Sequence, residues 1–230
     1  MSPPTGPPRL APRSAVRIAN CSGFYGDRLS AAREMVDGGP IDVLTGDYLA
    51  ELTMLILWKA RRKDATAGYA RTFLKQLEEV LGACLDRGIR IVTNAGGLNP
   101  LGLADEVARL AASLGLNPEV AAITGDDLLD RLPELQAAGV DLAHLDTGRR
   151  LADAGVQPIS ANAYLGGWGI AEALAADADV VVCPRVTDAS LVVGPAAPPS
   201  CRSASARRRS GSPSSRRPSS RALVRTQAPA

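Results

Sequence analysis

The sequence predicts an α/β protein with a doubly wound, mostly parallel sheet and helices on both faces. Short runs of β-branched and aliphatic residues recur along the chain, and each is followed by a turn rich in Gly, Asn and Asp and then by an amphipathic helix. Most runs are apolar throughout rather than alternating, as expected when helices cover both faces of a sheet. Strands that alternate with helices form parallel sheets, and an incomplete β/α barrel is the alternative architecture.

The predicted elements follow one another in a regular order. The strands are residues 16–20, 41–45, 89–93, 119–124, 158–161 and 180–183, and the helices are residues 27–37, 50–62, 69–87, 101–114, 128–138 and 169–176. Glycines directly follow several of these helices, among them Gly38, Gly88, Gly115 and Gly139, and glycine is a common helix stop. Pro100 suits the first turn of the fourth helix.

Composition divides the chain into three parts. Residues 1–14 are Pro-rich and predict a disordered leader, whereas residues 15–197 carry the α/β pattern. Residues 198–230 consist mainly of Arg, Ser, Pro and Ala and hold too few large apolar residues to repay the ordering entropy, so we predict a disordered tail. Two interpretations of the tail stay open: a basic arm for nucleic acid or an acidic surface, or translation of a GC-rich gene out of frame.

Charge and cysteine content exclude several classes of function. The tail holds eight Arg and no Lys, Asp or Glu; removing those eight charges from the net charge of +2 leaves −6 for residues 1–197. An acidic folded part argues against nucleic acid as its partner. The four cysteines form no CxxC pair, and with a single histidine, His144, we expect no zinc site. We find neither a secretory signal nor an apolar run of about 20 residues, so we expect a soluble, cytoplasmic protein without a membrane partner.

Polar loops follow the predicted strands, and the carboxyl ends of parallel strands are where ligands bind. The first loop offers Asn20, Ser22 and Tyr25 next to two glycines and a helix N-terminus, which suits an anion. Asp27 in that loop is explained equally well as a helix cap.

The second loop carries two carboxylates, Asp47 and Glu51, four residues apart. If the helix begins at Asp47, both lie on one helical face. We predict both as catalytic acid or base groups, and together they are compatible with a hard divalent cation such as Mg²⁺. A capping arrangement is the competing explanation.

The third loop is the candidate that we favour for ligand contact. Asn94, Gly96, Gly97 and Asn99 stand directly before a helix that begins with proline, so an anion-binding turn is predicted. A tight strand-to-helix turn would use the same residues.

Three further loops complete the predicted site. Asp126, beside Asp127, is a third candidate catalytic carboxylate, or else a solvated helix cap. The remaining candidate substrate-binding residues are Asn162, Tyr164, Arg185 and Asp188. An arginine at a strand end can clamp a carboxylate or phosphate with two hydrogen bonds, although Asp188 could instead pair with it.

These loops, taken together, resemble the acyclic terpene utilisation (AtuA) family. The strings that carry the resemblance are Asn-Cys-Ser-Gly-Phe-Tyr-Gly-Asp-Arg at residues 20–28, Leu-Thr-Gly-Asp-Tyr-Leu-Ala-Glu-Leu at 44–52, Asn-Ala-Gly-Gly-Leu-Asn-Pro at 94–100, Gly-Asp-Asp-Leu at 125–128, Asn-Ala-Tyr-Leu-Gly at 162–166 and Arg-Val-Thr-Asp-Ala-Ser-Leu at 185–191. The resemblance runs from about residue 16 to residue 197. Family members continue past that point, so the chain resembles the N-terminal portion of the family, with the basic tail in place of the remainder.

The resemblance implies a role in the breakdown of acyclic terpenes such as citronellol and geraniol, a route that proceeds through acyl-CoA intermediates. We therefore expect an enzyme-like protein that acts on an anionic small molecule or an acyl-CoA, with hydratase or lyase chemistry as the predicted reaction. The alternatives are a non-catalytic subunit that binds acyl-CoA or a partner enzyme, and an inactive truncated product. The sequence leaves the substrate, the cofactor and the oligomeric state open, a homo-oligomer included.

Overall fold

A computed structural model describes residues 15–197 together with the backbone of Thr226–Gln227. The predictions for the leader, and for the rest of the tail, lie outside the described residues. The strands are β1 (Ile18–Asn20), β2 (Val43–Gly46), β3 (Arg90–Thr93), β4 (Val120–Thr124), β5 (Val180–Val182) and β6 (Thr226–Gln227).

Helices connect these strands. They are α1 (Ala31–Asp37), α2 (Glu51–Lys63), α3 (Arg71–Arg87), α4 (Pro100–Ser113), α5 (Leu132–Ala137), α6 (Trp168–Ala175) and α7 (Ser190–Ala196), with short 3₁₀ turns at Leu129–Arg131 and Leu151–Asp153. No helix within residues 15–197 combines the length and the apolar character needed to cross a membrane.

The sheet is open, and all of its paired strands run parallel. Its order is β1-β2-β3-β5-β4-β6, with β1 and β6 at the two edges. Representative registers are Leu44 opposite Ile91 and Val92 opposite Val181. The predicted doubly wound α/β fold is therefore confirmed, and the barrel alternative is not the architecture that forms.

Consecutive strand residues face opposite sides of the sheet, and both sides are covered. On one side, Leu44 and Ile91 pack with α1, α3 and α4 in the larger core cluster. On the other side, Val43, Val92 and Val181 pack with α6 and α7. Burial on both sides explains why the strand runs are apolar throughout rather than alternating.

The chain reverses direction across the sheet after β4. Up to that strand the connecting helices α1, α3 and α4 lie on one side, whereas β5 returns to the place between β3 and β4, and the helices before and after it, α6 and α7, lie on the other side. Strands β3 and β5 are neighbours, and the chain leaves β3 toward one side of the sheet and β5 toward the other. Such a switch point opens a crevice at the carboxyl edge of a parallel sheet.

The predicted strand at residues 158–161 is wrong. This segment runs beside the loop after β4, where Leu128 N donates to Ala161 O at 2.7 Å and a single antiparallel bridge joins Asp127 to Asn162. It does not pair with β4, whose two sides are occupied by β5 and β6. A short apolar run bounded by turn residues does not reveal this competition.

Two predicted helices begin later than expected. Residues 27–30 precede α1 because the Asp27 carboxylate accepts from Gly23 N and Arg28 N and holds a turn there. The first turn of the predicted helix at residues 128–138 is 3₁₀, since Pro133 has no N–H to donate to the preceding turn.

Helix α7 was not predicted, because its Gly194 and Pro195 are typical helix breakers. Gly194 is needed for close packing: a Cβ there would lie 2.7 Å from the Cβ of Ile170 in α6. The two helices on this side of the sheet therefore pack closely.

We expect Leu81→Ala to lower the free energy of unfolding by about 2–5 kcal/mol, because the side chain is fully buried between α3 and the sheet and its removal leaves a cavity. Leu52→Ala removes the same atoms from an exposed position on α2 and should change stability by no more than about 0.5 kcal/mol. Urea denaturation of both variants measures the difference, and equal losses would contradict the assigned core.

Candidate functional site

The predicted polar residues collect at the carboxyl edge of the sheet, around the switch point between β3 and β5. Asn94 directly follows β3, and Arg185 is the third residue after β5. The two loops are tied together, since Cys183 N donates to Thr93 O at 2.7 Å and Gly96 N donates to Cys183 O at 3.1 Å. The loops that follow these two neighbouring strands are therefore hydrogen bonded to each other, and they hold the site.

Asp47 and Asn94 form the first polar pair of the site. The Asn94 side chain is fully buried; its Oδ1 accepts from Tyr48 N at 2.7 Å, which turns its Nδ2 toward Asp47 Oδ1 at 2.6 Å. Asp47 is half-buried, and its burial raises the pKa of the carboxyl, while the bond from Asn94 acts in the opposite direction. A carboxyl in this setting holds its proton to higher pH than an exposed aspartate and is suited to acid–base work.

Arg185 is the central cation of the site. Its side chain is only 5% exposed, and Nη1 donates to Asp188 Oδ1 at 2.9 Å and to Val186 O at 3.1 Å. The guanidinium carbon lies 4.1 Å from the centroid of the Tyr164 ring. Nε is buried and has no hydrogen-bond partner among the described residues. A buried guanidinium with an unsatisfied donor favours an additional acceptor.

Glu51 and Tyr164 close the site on its solvent side. Tyr164 Oη donates to Glu51 Oε1, and this hydrogen bond lowers the pKa of the glutamate. Glu51 Oε1 also lies 3.9 Å from Arg185 Nη2, although the carboxylate itself is mostly exposed. Helix α2 begins at Glu51 with extended backbone before it, so the condition under which Asp47 and Glu51 would share a helical face is not met.

Asp126 links three loops. Its Oδ2 accepts from Asn162 Nδ2 at 2.8 Å and from Arg185 N at 3.3 Å, and its backbone oxygen accepts from Ala163 N. The side chain is almost completely buried, and burial raises its pKa. These contacts position the segments that carry Arg185 and Tyr164, whereas a direct catalytic role for Asp126 stays a prediction.

The first loop supports the site through its backbone. Asn20 Nδ2 donates to Ser22 O, and the same oxygen accepts from Asp47 N at 3.0 Å. The Ser22 hydroxyl is occupied by Phe24 O at 3.0 Å. Tyr25 packs against the larger core cluster. Direct ligand contact by Asn20, Ser22 and Tyr25 stays a prediction.

The third loop does not offer the predicted anion-binding N–H groups. Gly96 N donates to Cys183 O, Gly97 N to Asn94 O, and Asn99 N to Gly96 O. The Asn99 side chain caps α4 by accepting from Gly102 N at 3.0 Å. The glycines are required by packing, since a Cβ on Gly96 would lie 2.5 Å from Cys183 O. The residues form a tight turn whose backbone N–H groups already donate to carbonyl oxygens of the protein. The expectation that this turn binds an anion is therefore wrong.

Sequence reasoning missed the support behind Asp47. Tyr48 and Gln76 are buried together, and the Tyr48 hydroxyl donates to Gln76 Oε1. Thr93 is fully buried, with its hydroxyl donating to Gly46 O at 3.0 Å. A glutamine at an inward position of the otherwise apolar face of α3 is the one signal that could have indicated a buried polar contact.

Within residues 15–197, no group of three or more His, Cys, Asp or Glu side chains converges in a way that could hold a metal ion. Binding of a divalent cation by Asp47 and Glu51 stays a prediction.

The fold and the site define a doubly wound α/β protein with a buried arginine and several carboxylates at the switch point of its sheet. Residues 16–198 match the family model described as acyclic terpene utilisation family protein AtuA. The chain therefore belongs to this family, and the resemblance found in the sequence is confirmed. Neither the curated proteins nor the solved structures contain a match to the chain.

We expect Gly97→Ala to destabilise the fold more than Gly115→Ala does. Both glycines have positive φ, +50° and +72°, so alanine costs about 1–2 kcal/mol at either position. At Gly97 the new Cβ would also lie 2.4 Å from Leu57 Cδ1 and 2.9 Å from Gly68 O, whereas nothing lies within 4 Å at Gly115. Overpacking of this kind adds about 1–3 kcal/mol. Equal free energies of unfolding for the two variants would show that the loop is not packed as described.

We expect Asp47→Asn to gain stability relative to the wild type as pH rises. The pKa of Asp47 is raised by burial, so between the ordinary aspartate value of 3.8 and the raised value the folded protein holds a proton that the unfolded chain has lost. The contribution of Asp47 to the free energy of unfolding of the wild type is fully present below pH 3.8 and is lost as the pH rises through the raised pKa. Asparagine does not titrate and can still accept from Asn94.

Denaturation at a series of pH values from about 3.5 to 7 measures this difference. Asp105→Asn, which removes an exposed carboxylate from α4, controls for general charge effects. A difference between Asp47→Asn and the wild type that stays constant over the whole range would refute the raised pKa.

Proposed function

We propose that this chain acts in acyclic terpene utilisation by binding a carboxylate or acyl thioester metabolite at the switch-point site and transferring a proton to or from it. Membership of the AtuA family supports the pathway. The observation that carries the proposal for the site is the presence, at one edge of the sheet, of a half-buried Asp47 whose pKa is raised by burial and of a buried Arg185 whose Nε has no acceptor among the described residues.

The two side chains suit opposite parts of such a reaction. Arg185 binds the oxygen on which negative charge resides or develops, either a substrate carboxylate or the carbonyl oxygen of a thioester. Asp47 exchanges a proton at the neighbouring carbon. Its amide partner Asn94 keeps the carboxyl oriented, because the backbone of Tyr48 fixes the direction of the amide.

Hydratase or lyase chemistry needs no more than these groups. When water adds across a double bond conjugated with the carbonyl, its oxygen bonds to the β carbon and the electron pair moves to the carbonyl oxygen near Arg185. Asp47 then gives its proton to the α carbon as the electron pair returns there from the carbonyl oxygen, and the oxygen newly bonded to the β carbon gives its extra proton to the Asp47 carboxylate, which restores the acid. Elimination of water is the reverse of these steps.

The remaining polar residues position the two reacting groups. Tyr164 covers one face of the Arg185 guanidinium, and Asp188, three residues further along the same loop, neutralises its charge. Asp126 holds the backbone of Arg185. The site therefore keeps its cation in place before a ligand arrives, and preorganisation of this kind favours catalysis over simple binding.

We expect Asp47→Asn to lower turnover of an unsaturated terpenoid acyl-CoA by about 10²–10⁴-fold, with little change in its affinity, because the variant keeps the hydrogen bond but loses the proton. Arg185→Lys should instead weaken binding, since lysine lacks the planar fork and the stacking contact with Tyr164. Turnover is followed by mass spectrometry and affinity by calorimetry, with Asp105→Asn as the control.

Each outcome separates one class of function. Unchanged turnover in Asp47→Asn would exclude this residue as the acid or base. The wild type could instead bind the thioesters without turning any of them over. If Arg185→Lys then weakens that binding, the results favour the non-catalytic binding subunit.

A further inference from the structure

A second cleft opens beside the switch-point site, on the far side of the loop after β4. Its volume is about 280 Å³, close to the lower end of the range of about 300–1,000 Å³ for small-molecule pockets. It lies between the C-terminal end of α2, which contributes Trp58, Arg61 and Arg62, and the loop residues Asp127, Asp130 and Ser160. None of these six side chains belongs to the site proposed above.

One wall of the cleft is aromatic and cationic. The guanidinium carbon of Arg62 lies 5.1 Å from the centroid of the Trp58 ring. Trp58 is half-buried, so the indole is held in place while part of it faces the cleft. An indole fixed in this way is a stacking surface for a flat heteroaromatic ring.

The two arginines leave binding capacity for an anion. Arg61 Nη1 donates to Leu98 O at 3.0 Å, which orients the guanidinium but uses one of its five N–H donors. In the stretch from residue 15 to residue 197, the ion pairs involve other arginines, and neither Arg61 nor Arg62 has a carboxylate partner. Two guanidinium groups that line one cleft and have no carboxylate partner among the described residues suit a phosphate, which accepts several hydrogen bonds at once.

The opposite wall is acidic and hydroxylic. Asp127 Oδ1 accepts from Leu129 N at 3.0 Å, which leaves its second oxygen, and Asp130 is exposed on the next turn. A simple inorganic anion would be repelled by these carboxylates. The hydroxyl groups of a ribose would donate to them, as they do to the acidic residue of dinucleotide-binding folds.

We propose that this cleft binds a nucleotide, with the base on Trp58, the ribose hydroxyls at Asp127 and Asp130, and the phosphate on Arg61 and Arg62. A flat ring, neutral hydroxyls and an anion within one ligand match the aromatic, acidic and basic parts of the cleft. Phosphate by itself or a nucleoside by itself satisfies only part of it.

The position of the cleft also narrows the substrate class of the neighbouring site. Glu51 at the first turn of α2 belongs to the switch-point site, and Arg61 lies ten residues further along the same helix, a rise of about 15 Å. One extended molecule can reach both places, and a thioester carried on a nucleotide is such a molecule. This last step rests on the proposed function, whereas binding of a free nucleotide does not.

Fluorescence of Trp58 tests the inference in the full chain. The protein has two tryptophans, and Trp168→Phe removes the other one at an exposed position. In this background we expect ADP to change the emission of Trp58 in a saturable way and to bind at least about tenfold more tightly than adenosine or inorganic phosphate, because each of those lacks part of the ligand.

Two sets of variants check the assignment of residues. Arg61→Gln with Arg62→Gln should weaken ADP binding at least about tenfold, whereas Lys63→Gln, which removes a cation from the same helix end but not from the cleft, should leave it within about twofold. Arg185→Lys should not affect ADP. A nucleotide-carried thioester should lose affinity in both Arg185→Lys and the double variant.

Three results would overturn the proposal. If ADP causes no saturable change in Trp58 emission, the cleft does not bind a nucleotide. If inorganic phosphate binds as tightly as ADP, the cleft is only an anion site. Equal loss in Lys63→Gln and in the double variant would show general charge attraction. If ADP binds as expected while Arg185→Lys leaves thioester affinity intact, the nucleotide site stands and the proposed function of the neighbouring site fails.

Discussion

A guanidinium buried among strand ends has to be neutralised and hydrogen bonded, and much of the site serves this requirement of Arg185. Removing a charge from water costs several kcal/mol unless partners replace the solvent. The partners come from different loops: Asp188 from its own loop, Glu51 from the start of α2, and the ring of Tyr164 from the connection between β4 and β5. Asp126 holds the backbone of Arg185 itself. Segments distant in sequence are thus bound to one another through a single cation.

The sequence was sufficient to predict that these residues would meet. Parallel strands end at a common edge, so polar residues that follow successive strands become neighbours whatever their separation along the chain. Asp47 and Asn94, 47 residues apart, are joined by a 2.6 Å hydrogen bond for this reason. The sequence does not decide whether Asp188 pairs with Arg185, and the structure shows that it does, with Arg185 Nη1 2.9 Å from Asp188 Oδ1.

The sequence was insufficient where one pattern serves two purposes. Glycines at residues 96 and 97 are required both by an anion-binding turn and by a turn packed against its neighbours, and the second purpose governs here because Cys183 O and Leu57 occupy the space that a Cβ would need. Competition for places in a sheet is equally invisible, since it depends on where a strand such as β5 is inserted. Helix α7 was missed because its glycine serves contact with α6 rather than termination.

The bridge between Asp127 and Asn162 has a consequence for communication across the molecule. It is isolated, with no adjoining rungs of a ladder, and it stands where the two clefts meet. Asp127 faces one cleft, while the amide of Asn162 holds the carboxylate of Asp126 in the other. Any ligand that displaces this pair on one side alters the geometry on the other. Where such a displacement changes the affinity of the second cleft, thermodynamic reciprocity requires the same factor in both directions.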